Sequence, residues 1–251
     1  MKKIDKLLNY ILPLLSVLCI VVLWTVAALT VDNEYVLPTV GDTVNALFKL
    51  FGEGSFYTAF LLTFLRSLIA FILSFLIACA LAVLSNKSRK IEKFILPLIS
   101  VVRALPTVAI VLLLLFWTNN QVAPVVVTML VVMPTTYTHV KSALDSVDNS
   151  SVEAGKVDGA DRRQLFIKVQ LPQIMPTIYS AVGSGISLNF KLMVAAEVLS
   201  ATVRSLGNML NISNYNGEIA KMLAIVVTTV LVGIIIEYVF NKLSAKAGDY
   251  K

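Results

Sequence analysis

Charged side chains stand within the long apolar runs of this 251-residue sequence. A cation near the bilayer centre costs about 2.5 to 3.5 kcal/mol on insertion scales, so such a residue faces protein or water rather than lipid. Three cations and one carboxylate are our candidates for such interior positions. They are Arg66, Arg103, Lys191 and Glu197.

Serines extend this polar pattern along one helix. Ser180, Ser184, Ser187 and Lys191 follow one another at intervals of four, three and four residues, which places them on one helical face. Glu197 comes six residues after Lys191, roughly 9 Å further along a helix that rises 1.5 Å per residue. The spacing therefore predicts a polar stripe in a membrane-spanning helix.

Each of these residues also has a purely structural interpretation. Arg66 and Glu197 could form a fixed ion pair, and Arg103 could extend to the cytoplasmic interface or bind backbone carbonyls. The serines could mark close helix packing, because Ala181 and Gly185 form a pair of small residues four apart that lets two helices approach. The sequence leaves these alternatives open.

Other residues with reactive side chains indicate no catalytic or metal site. Cys19 and Cys79 both fall within apolar runs, where cysteine usually packs as a small hydrophobe. His139 is the single histidine and has no second ligand nearby in sequence. The sequence lacks a phosphate-binding G-x-x-x-x-G-K-[ST] motif, so we expect no ATP hydrolysis by this chain, no cofactor and no enzymatic activity.

Composition indicates an all-α protein that crosses a membrane several times. Hydrophobic residues make up 57% of the chain, charged residues only 14%, and the mean hydropathy is +0.83. A soluble domain of this length is far less apolar. The formal charge of +6 does not indicate nucleic-acid binding, because the basic residues are spread between apolar runs and do not cluster with aromatics.

Six apolar runs are each long enough to cross the hydrocarbon core, for which about 20 helical residues suffice. An even number of spans places both termini on the same side, and we expect one transmembrane domain over residues 1–251. A cleaved signal peptide is an alternative for the first run, which follows three lysines. The predicted spans are residues 10–31, 56–84, 94–117, 122–140, 176–201 and 219–240.

Basic residues predict the orientation of these spans. The segments outside the spans form two sets, one on each side of the membrane. One set contains only three basic residues, Lys49, Arg204 and Lys221. By the positive-inside rule the richer set is cytoplasmic, and with it both termini and the loop of residues 142–171 between spans four and five. The richer set contains Lys2, Lys3, Lys6, Lys87, Arg89, Lys90, Lys93, Lys141, Lys156, Arg162, Arg163, Lys168, Lys242, Lys246 and Lys251.

This cytoplasmic loop predicts a helix–turn–helix unit. Ser150, followed three residues later by Glu153, has the form of a capping box for a helix over residues 151–158. Gly159 permits a left-handed turn, and Asp161 can cap a second helix over residues 162–169. Leu171 and Pro172 are then expected to end the unit, because proline disfavours helical geometry in the residue before it and is well placed to begin a new helix.

The same loop resembles the "EAA" loop of binding-protein-dependent ABC importer permeases. The matching positions are Glu153, Ala154, Gly159, Val169, Leu171 and Pro172. Gly155 departs from the usual second alanine, and glycine within a helix costs roughly 0.5 to 1 kcal/mol. In that family the loop forms the coupling helix that docks on the ATPase. The resemblance implies that role for Glu153, Ala154, Gly155, Gly159, Ala160, Leu171 and Pro172.

Weaker similarities narrow the resemblance to the sulfonate, taurine, nitrate and thiamine-precursor branch. They comprise Arg66–Ser67, Arg103–Pro106, Ala196–Glu197 and Ser205–Gly207. The surplus of positive charge within the spans predicts a translocation path for an anionic or zwitterionic organic solute, similar to the solutes of that branch. Candidate path residues are Arg66, Arg103, Ser180, Ser184, Ser187, Lys191 and Glu197. Thr118 and two asparagines replace a glycine usual after span three, so the particular solute does not follow.

The resemblance also implies partners and a location. They are a second, identical permease chain, two copies of an ABC ATPase subunit, an extracytoplasmic substrate-binding protein and the lipid of a bacterial inner or plasma membrane. ATP binding would draw the coupling helices together and turn the spans from inward-open to outward-open. The alternative is an ATP-independent secondary transporter or channel, in which Arg66, Lys191 and Glu197 serve ion coupling.

Overall fold

The computed structural model describes the backbone of residues 2–248 and the side chains of residues 11–12 and 14–248. Secondary structure in residues 2–248 is entirely helical, as predicted. The basic side chains at positions 2, 3, 6 and 251, used to predict orientation, lie outside the described residues. The helices are α1 Lys2–Val31, α2 Val40–Gly52, α3 Gly54–Lys87, α4 Arg89–Ala104, α5 Thr107–Trp117, α6 Ala123–Asp145, α7 Asn149–Val157, α8 Arg162–Leu165, a π-helical turn Phe166–Gln170, α9 Leu171–Leu199, α10 Leu206–Tyr215 and α11 Ile219–Gly248.

The candidate membrane spans agree with the six apolar runs, except that the third is broken. Within residues 2–248, five helical segments are long and apolar enough to cross a bilayer, and α4 with α5 make a sixth if the bent pair counts as one span. α4 and α5 are inclined by 91°. The bend lies at Leu105 and Pro106, which are both extended, since proline disfavours helical geometry in the residue before it. The third span therefore consists of two helices that meet at Pro106.

Two compact units are distinguished by their internal contacts. The first comprises the segment that ends at Tyr57 together with Met209–Thr228. The second comprises Thr58–Asn208 together with the segment that begins at Thr229. The loop of residues 142–171, which is expected to couple to an ATPase and is called the coupling loop below, belongs to the second unit, as do all predicted path residues.

Polar contacts join the segments of the first unit. The Trp24 indole N–H donates to the Pro38 carbonyl at 3.0 Å, which holds the chain after α1. Lys221 forms an ion pair with Glu53 at 2.7 Å, which joins the start of α11 to the end of α2. Both side chains are about one third exposed, so this pair adds little stability.

α6 and α9 form the centre of the second unit and pack along each other. Phe190 and Met193 of α9 are completely buried, as is Val132 of α6. Phe190 also packs edge-on against two α3 rings, with centroid distances of 6.0 Å. Gly185 of α9 lies so close to the Phe71 ring that an added Cβ would come within 2.6 Å of it. The small residues of α9 therefore permit close packing, as one of the sequence interpretations proposed.

Two of the predicted turn and cap positions between α7 and α8 are confirmed. Gly159 has φ +79°, and its N–H donates to the Lys156 carbonyl while the Ala160 N–H donates to the Gly155 carbonyl, both at 3.0 Å. This pair of bonds is the Schellman ending of a helix. Asp161 caps α8 and shares a capping box with Gln164.

The predicted boundary at Leu171 and Pro172 is confirmed as the start of a new helix, α9, but the expected interruption of helical structure before it is wrong. Helical structure continues from α8 through the π-helical turn into α9, and Pro172 lies in the first turn of α9. The Leu171 N–H donates to the carbonyl of Phe166, five residues earlier. Proline lacks an N–H and crowds the carbonyl four residues before it, and the wider π turn at this point allows the chain to pass without a break.

We predict that Gly159→Ala destabilises the protein through backbone strain alone. No atom lies within 4 Å of a Cβ built at this position, whereas a left-handed conformation costs a non-glycine residue about 1 to 2 kcal/mol. For a chain of this size, each kcal/mol lowers the thermal unfolding midpoint by about 2 to 4 °C.

The control variants separate strain from other effects of adding a side chain. Gly159→Asn should lose less, because asparagine tolerates the left-handed region. Gly52→Ala, at the open end of α2, should not lower the midpoint. An unchanged midpoint in Gly159→Ala would contradict the assigned turn.

Candidate functional site

Asp148, not Ser150, caps the first helix of the coupling loop. Its carboxylate accepts hydrogen bonds from the backbone N–H groups of Ser150 and Ser151 at 3.0 and 3.2 Å. Both serine hydroxyls also donate to it at 2.6 Å. These bonds favour the charged form and lower the pKa of Asp148 from 3.8 to about 2. The helix consequently begins two residues before the predicted start.

α7 is held at both of its ends within the second unit. The backbone N–H of Asp148 donates to the Gln173 side-chain oxygen in α9 at 2.8 Å. Near the other end, a Cβ on Gly155 would lie 2.7 Å from Cδ2 of the buried Leu165. Glycine at the position where the family usually has alanine therefore allows α7 to pack closely against α8.

The outer face of α7 is open. Val152 is the buried residue of this helix, whereas Glu153, Ala154 and Lys156 are exposed and Val157 is 87% exposed. The face thus offers both charges and apolar surface to a partner. An exposed helix fixed to the rest of the unit at both ends is suited to transmit a displacement.

Glu197 is the centre of a buried hydrogen-bond network. Its side chain is completely buried and forms an ion pair with Arg66 at 3.0 Å. The Thr63 hydroxyl donates to the same carboxylate at 2.8 Å, and the Gly207 N–H donates at 3.4 Å. Arg66 donates with its other nitrogen to Gln121 at 2.7 Å. The structure therefore brings two predicted path residues together as a fixed ion pair.

This network also fixes the start of α10. The Leu206 N–H donates to the Thr63 hydroxyl at 3.0 Å. A Cβ on Gly207 would come within 2.5 Å of the Glu197 Cβ and of the Val198 nitrogen, so only glycine permits the observed approach of α10 to α9 without backbone movement. Glu197 and Thr63 satisfy first-turn N–H groups that would otherwise lack partners.

Lys191 pairs with a carboxylate that the sequence analysis overlooked. Its Nζ lies 3.7 Å from Glu237 in α11, and the two side chains are 42% and 41% exposed. Glu237 is the single acidic residue between positions 219 and 248, and an isolated carboxylate in an apolar span is a recognisable signal. Two carboxylates therefore oppose the three intramembrane cations.

The serines of the stripe differ in whether their hydroxyls find a hydrogen-bond partner. Ser184 donates to the Ser180 carbonyl of its own helix at 3.0 Å, while the Ser180 hydroxyl donates to Asn241 of α11 at 3.4 Å. Ser187 is fully buried and its hydroxyl has no hydrogen-bond partner among the described residues. The members of the stripe therefore differ in their hydrogen bonding.

Arg103 lies apart from the other charges. It donates to the Thr138 hydroxyl at 2.8 Å and to the Pro134 carbonyl at 3.4 Å. Arg103 therefore binds a backbone carbonyl, as one of its structural interpretations predicted. His139 lines a small cavity of about 200 Å³ between α6 and α9, and no cluster of metal-ligating side chains occurs in the described part of the chain.

We predict that Glu197→Gln strongly destabilises the protein, because it leaves the Arg66 cation without a counter-charge. Breaking a buried pair on one side costs about 3 to 5 kcal/mol, whereas removing both charges is often nearly neutral. Arg66→Gln combined with Glu197→Gln should therefore recover most of the loss. The measurements are the yield of monodisperse protein and its thermal midpoint in detergent.

Glu237→Gln is the matched control for this experiment. The Glu237 carboxylate is 41% exposed, so the same substitution should have a smaller effect there. Equal midpoints for the wild type and Glu197→Gln would refute the structural role of the buried pair.

Comparison with known proteins assigns the family. The family model described as the inner membrane component of binding-protein-dependent transport systems matches residues 70–248. A putative ABC transporter permease of Methanocaldococcus jannaschii is 25% identical over 236 residues, 92% of this chain and 86% of that protein. The taurine transport permease TauC of Escherichia coli K12 is 25% identical over 192 residues, 74% of this chain and 70% of that protein.

Solved structures agree with this fold. A bacterial ABC transporter for import of the acidic polysaccharide alginate superposes with a TM-score of 0.62 over 97% of this chain and 99% of that chain, at 16% identity. Such low identity indicates the fold alone. Members of the family that matches residues 70–248 are membrane subunits of transporters and not enzymes. The chain therefore belongs to the family of inner-membrane permease components of binding-protein-dependent ABC importers.

Proposed function

We propose that two copies of this chain form the transmembrane path of an importer for a small anionic or zwitterionic organic solute. Two ABC ATPase subunits would drive it, and an extracytoplasmic binding protein would deliver the solute. The observation that carries this proposal is the exposed face of α7 at Glu153 and Ala154, in a loop with the EAA spacing. The basic loops further favour a cytoplasmic position for α7 and for both termini.

A continuous route connects α7 to the intramembrane charges. The loop is joined to α9 through the bond between Asp148 and Gln173 and through the helical continuation across Leu171 and Pro172. α9 carries both Lys191 and Glu197. A movement of α7 imposed by ATP binding would therefore displace the helix that holds these charges, since packed interiors transmit strain and do not absorb it.

The solute class is supported by charge and by similarity. Lys191 lies in a membrane-spanning helix with a partly exposed side chain, and the relative TauC is a permease for taurine, which carries both an ammonium and a sulfonate group. We place the chain in the sulfonate, nitrate and thiamine-precursor branch of the family. The family match favours ATP-driven import over the ATP-independent alternative.

Purification of the chain from its native membrane in mild detergent tests the assembly. Native mass spectrometry should find two permease chains and two ATPase subunits that contain a phosphate-binding loop. Recovery of stable permease without any ATPase would contradict the proposal.

We predict that Glu153→Lys weakens or abolishes ATPase recovery and ATP-driven uptake without unfolding the permease. The side chain is exposed, so a reversal of charge disturbs a partner and not the interior. Lys90→Glu, also exposed and predicted to be cytoplasmic, is the matched control and should retain the ATPase. Normal coupled transport by Glu153→Lys would exclude α7 as the docking helix.

A further inference from the structure

The Lys191–Glu237 pair differs from the Arg66–Glu197 pair in atom separation and in exposure. Its charged atoms are 3.7 Å apart, and both side chains are more than two-fifths exposed. The Arg66–Glu197 distance is 3.0 Å, and Glu197 is completely buried and multiply hydrogen-bonded. A direct charge-assisted hydrogen bond is about 2.7 to 2.9 Å long. The Lys191–Glu237 pair is thus loose and accessible.

Gly233 in α11 gives the Lys191 side chain room to lie against this helix. Gly233 precedes Glu237 by four residues and lies on the same face of α11. A Cβ at Gly233 would lie 2.7 Å from Cε of Lys191 and 2.8 Å from Oγ of Ser187. Glycine at this position therefore lets the lysine side chain cross α11 towards Glu237, beside a buried hydroxyl.

Ser187 adds a buried hydroxyl without a hydrogen-bond partner among the described residues. Buried polar groups are nearly always hydrogen-bonded, and an exception requires an explanation. A cation, an anion and an unsatisfied hydroxyl thus lie along one α9–α11 contact.

We propose that Lys191 and Glu237 bind the charged groups of a solute at a site in the translocation path, and that this site selects a zwitterion. Lys191 would bind the acidic group of the solute, and Glu237 would bind its cationic group. Ser187 lies at the base of this site. The proposal rests on the proposed importer function and specifies its solute class.

Charge balance distinguishes a zwitterion from a simple anion. When the site is empty, the two side chains neutralise each other. A zwitterion replaces this single pair by two pairs, so no charge remains without a partner in the membrane. An anion would occupy Lys191 and leave Glu237 without a counter-charge within a membrane-spanning helix, where an unpaired charge is unfavourable. The site should therefore discriminate against a solute with only one charge.

The experiment measures binding to the permease–ATPase complex in lipid nanodiscs without a binding protein. Radiolabelled taurine and glycine betaine are the zwitterionic probes, while unlabelled ethanesulfonate and tetramethylammonium compete as single-charge analogues. We expect saturable binding of at least one zwitterion and at least about tenfold weaker competition by both analogues.

Substitutions locate that binding. Lys191→Gln and Glu237→Gln should each weaken zwitterion binding by at least about tenfold. Lys221→Gln and Glu53→Gln, which alter the other partly exposed Lys–Glu pair, are matched controls and should bind normally. If either single variant fails to assemble, the exchanged pair Lys191→Glu with Glu237→Lys keeps the charges balanced and should retain preference for the zwitterion.

Specific results would overturn the proposal. These are equal binding of ethanesulfonate and taurine, no binding of either zwitterion, unaltered binding in Glu237→Gln, or lost selectivity in the exchanged pair. ATP hydrolysis stimulated by the binding protein is measured in parallel on the wild-type complex. Its persistence would show that only the zwitterion site is wrong, whereas its absence would count against the importer itself.

Discussion

Charges in an apolar medium need partners, and this requirement organises the second unit of the chain. Glu197 in α9 illustrates it most fully, because one carboxylate accepts bonds from Arg66, Thr63 and the N–H of Gly207. Donors from two other segments, α3 and the start of α10, converge on that single side chain. Since the desolvated carboxylate is stable only when these donors are present, their positions are coupled, and α3, α9 and the start of α10 are fixed together at this point.

α9 connects this fixed point with the coupling loop. At one end it continues from α8 across the π-helical turn and contacts the cap of α7 through Gln173. Towards the other end it carries the Glu197 network. Much of the intervening length is packed against α6, with Phe190 and Met193 fully buried. A helix with such extensive packing is expected to move with its neighbours as a body, so a displacement at the loop would reach the membrane interior without local melting.

The sequence was most informative where a residue type allows few alternatives. Left-handed Gly159 and the Asp161 cap were predictable because glycine and aspartate have strong local preferences. The start of α7 was not, since Ser150 and Asp148 are both good caps and the choice depends on Gln173, which follows 25 residues later. The uninterrupted helical structure before Pro172 and the pairing of Glu237 with Lys191 likewise depend on tertiary placement, which local patterns do not contain.

The two intramembrane ion pairs each include a residue of α9, and they differ in how readily their partners can separate. A pair that is buried and fully hydrogen-bonded, such as Arg66–Glu197, resists rearrangement, because each partner lost exposes an unsatisfied charge. A pair with an atom separation of 3.7 Å and substantial exposure loses less when its partners separate. If α9 moves during the ATP cycle, the loose Lys191–Glu237 contact is the one that can open first. The stable network would then preserve the structure while the other pair exchanges partners.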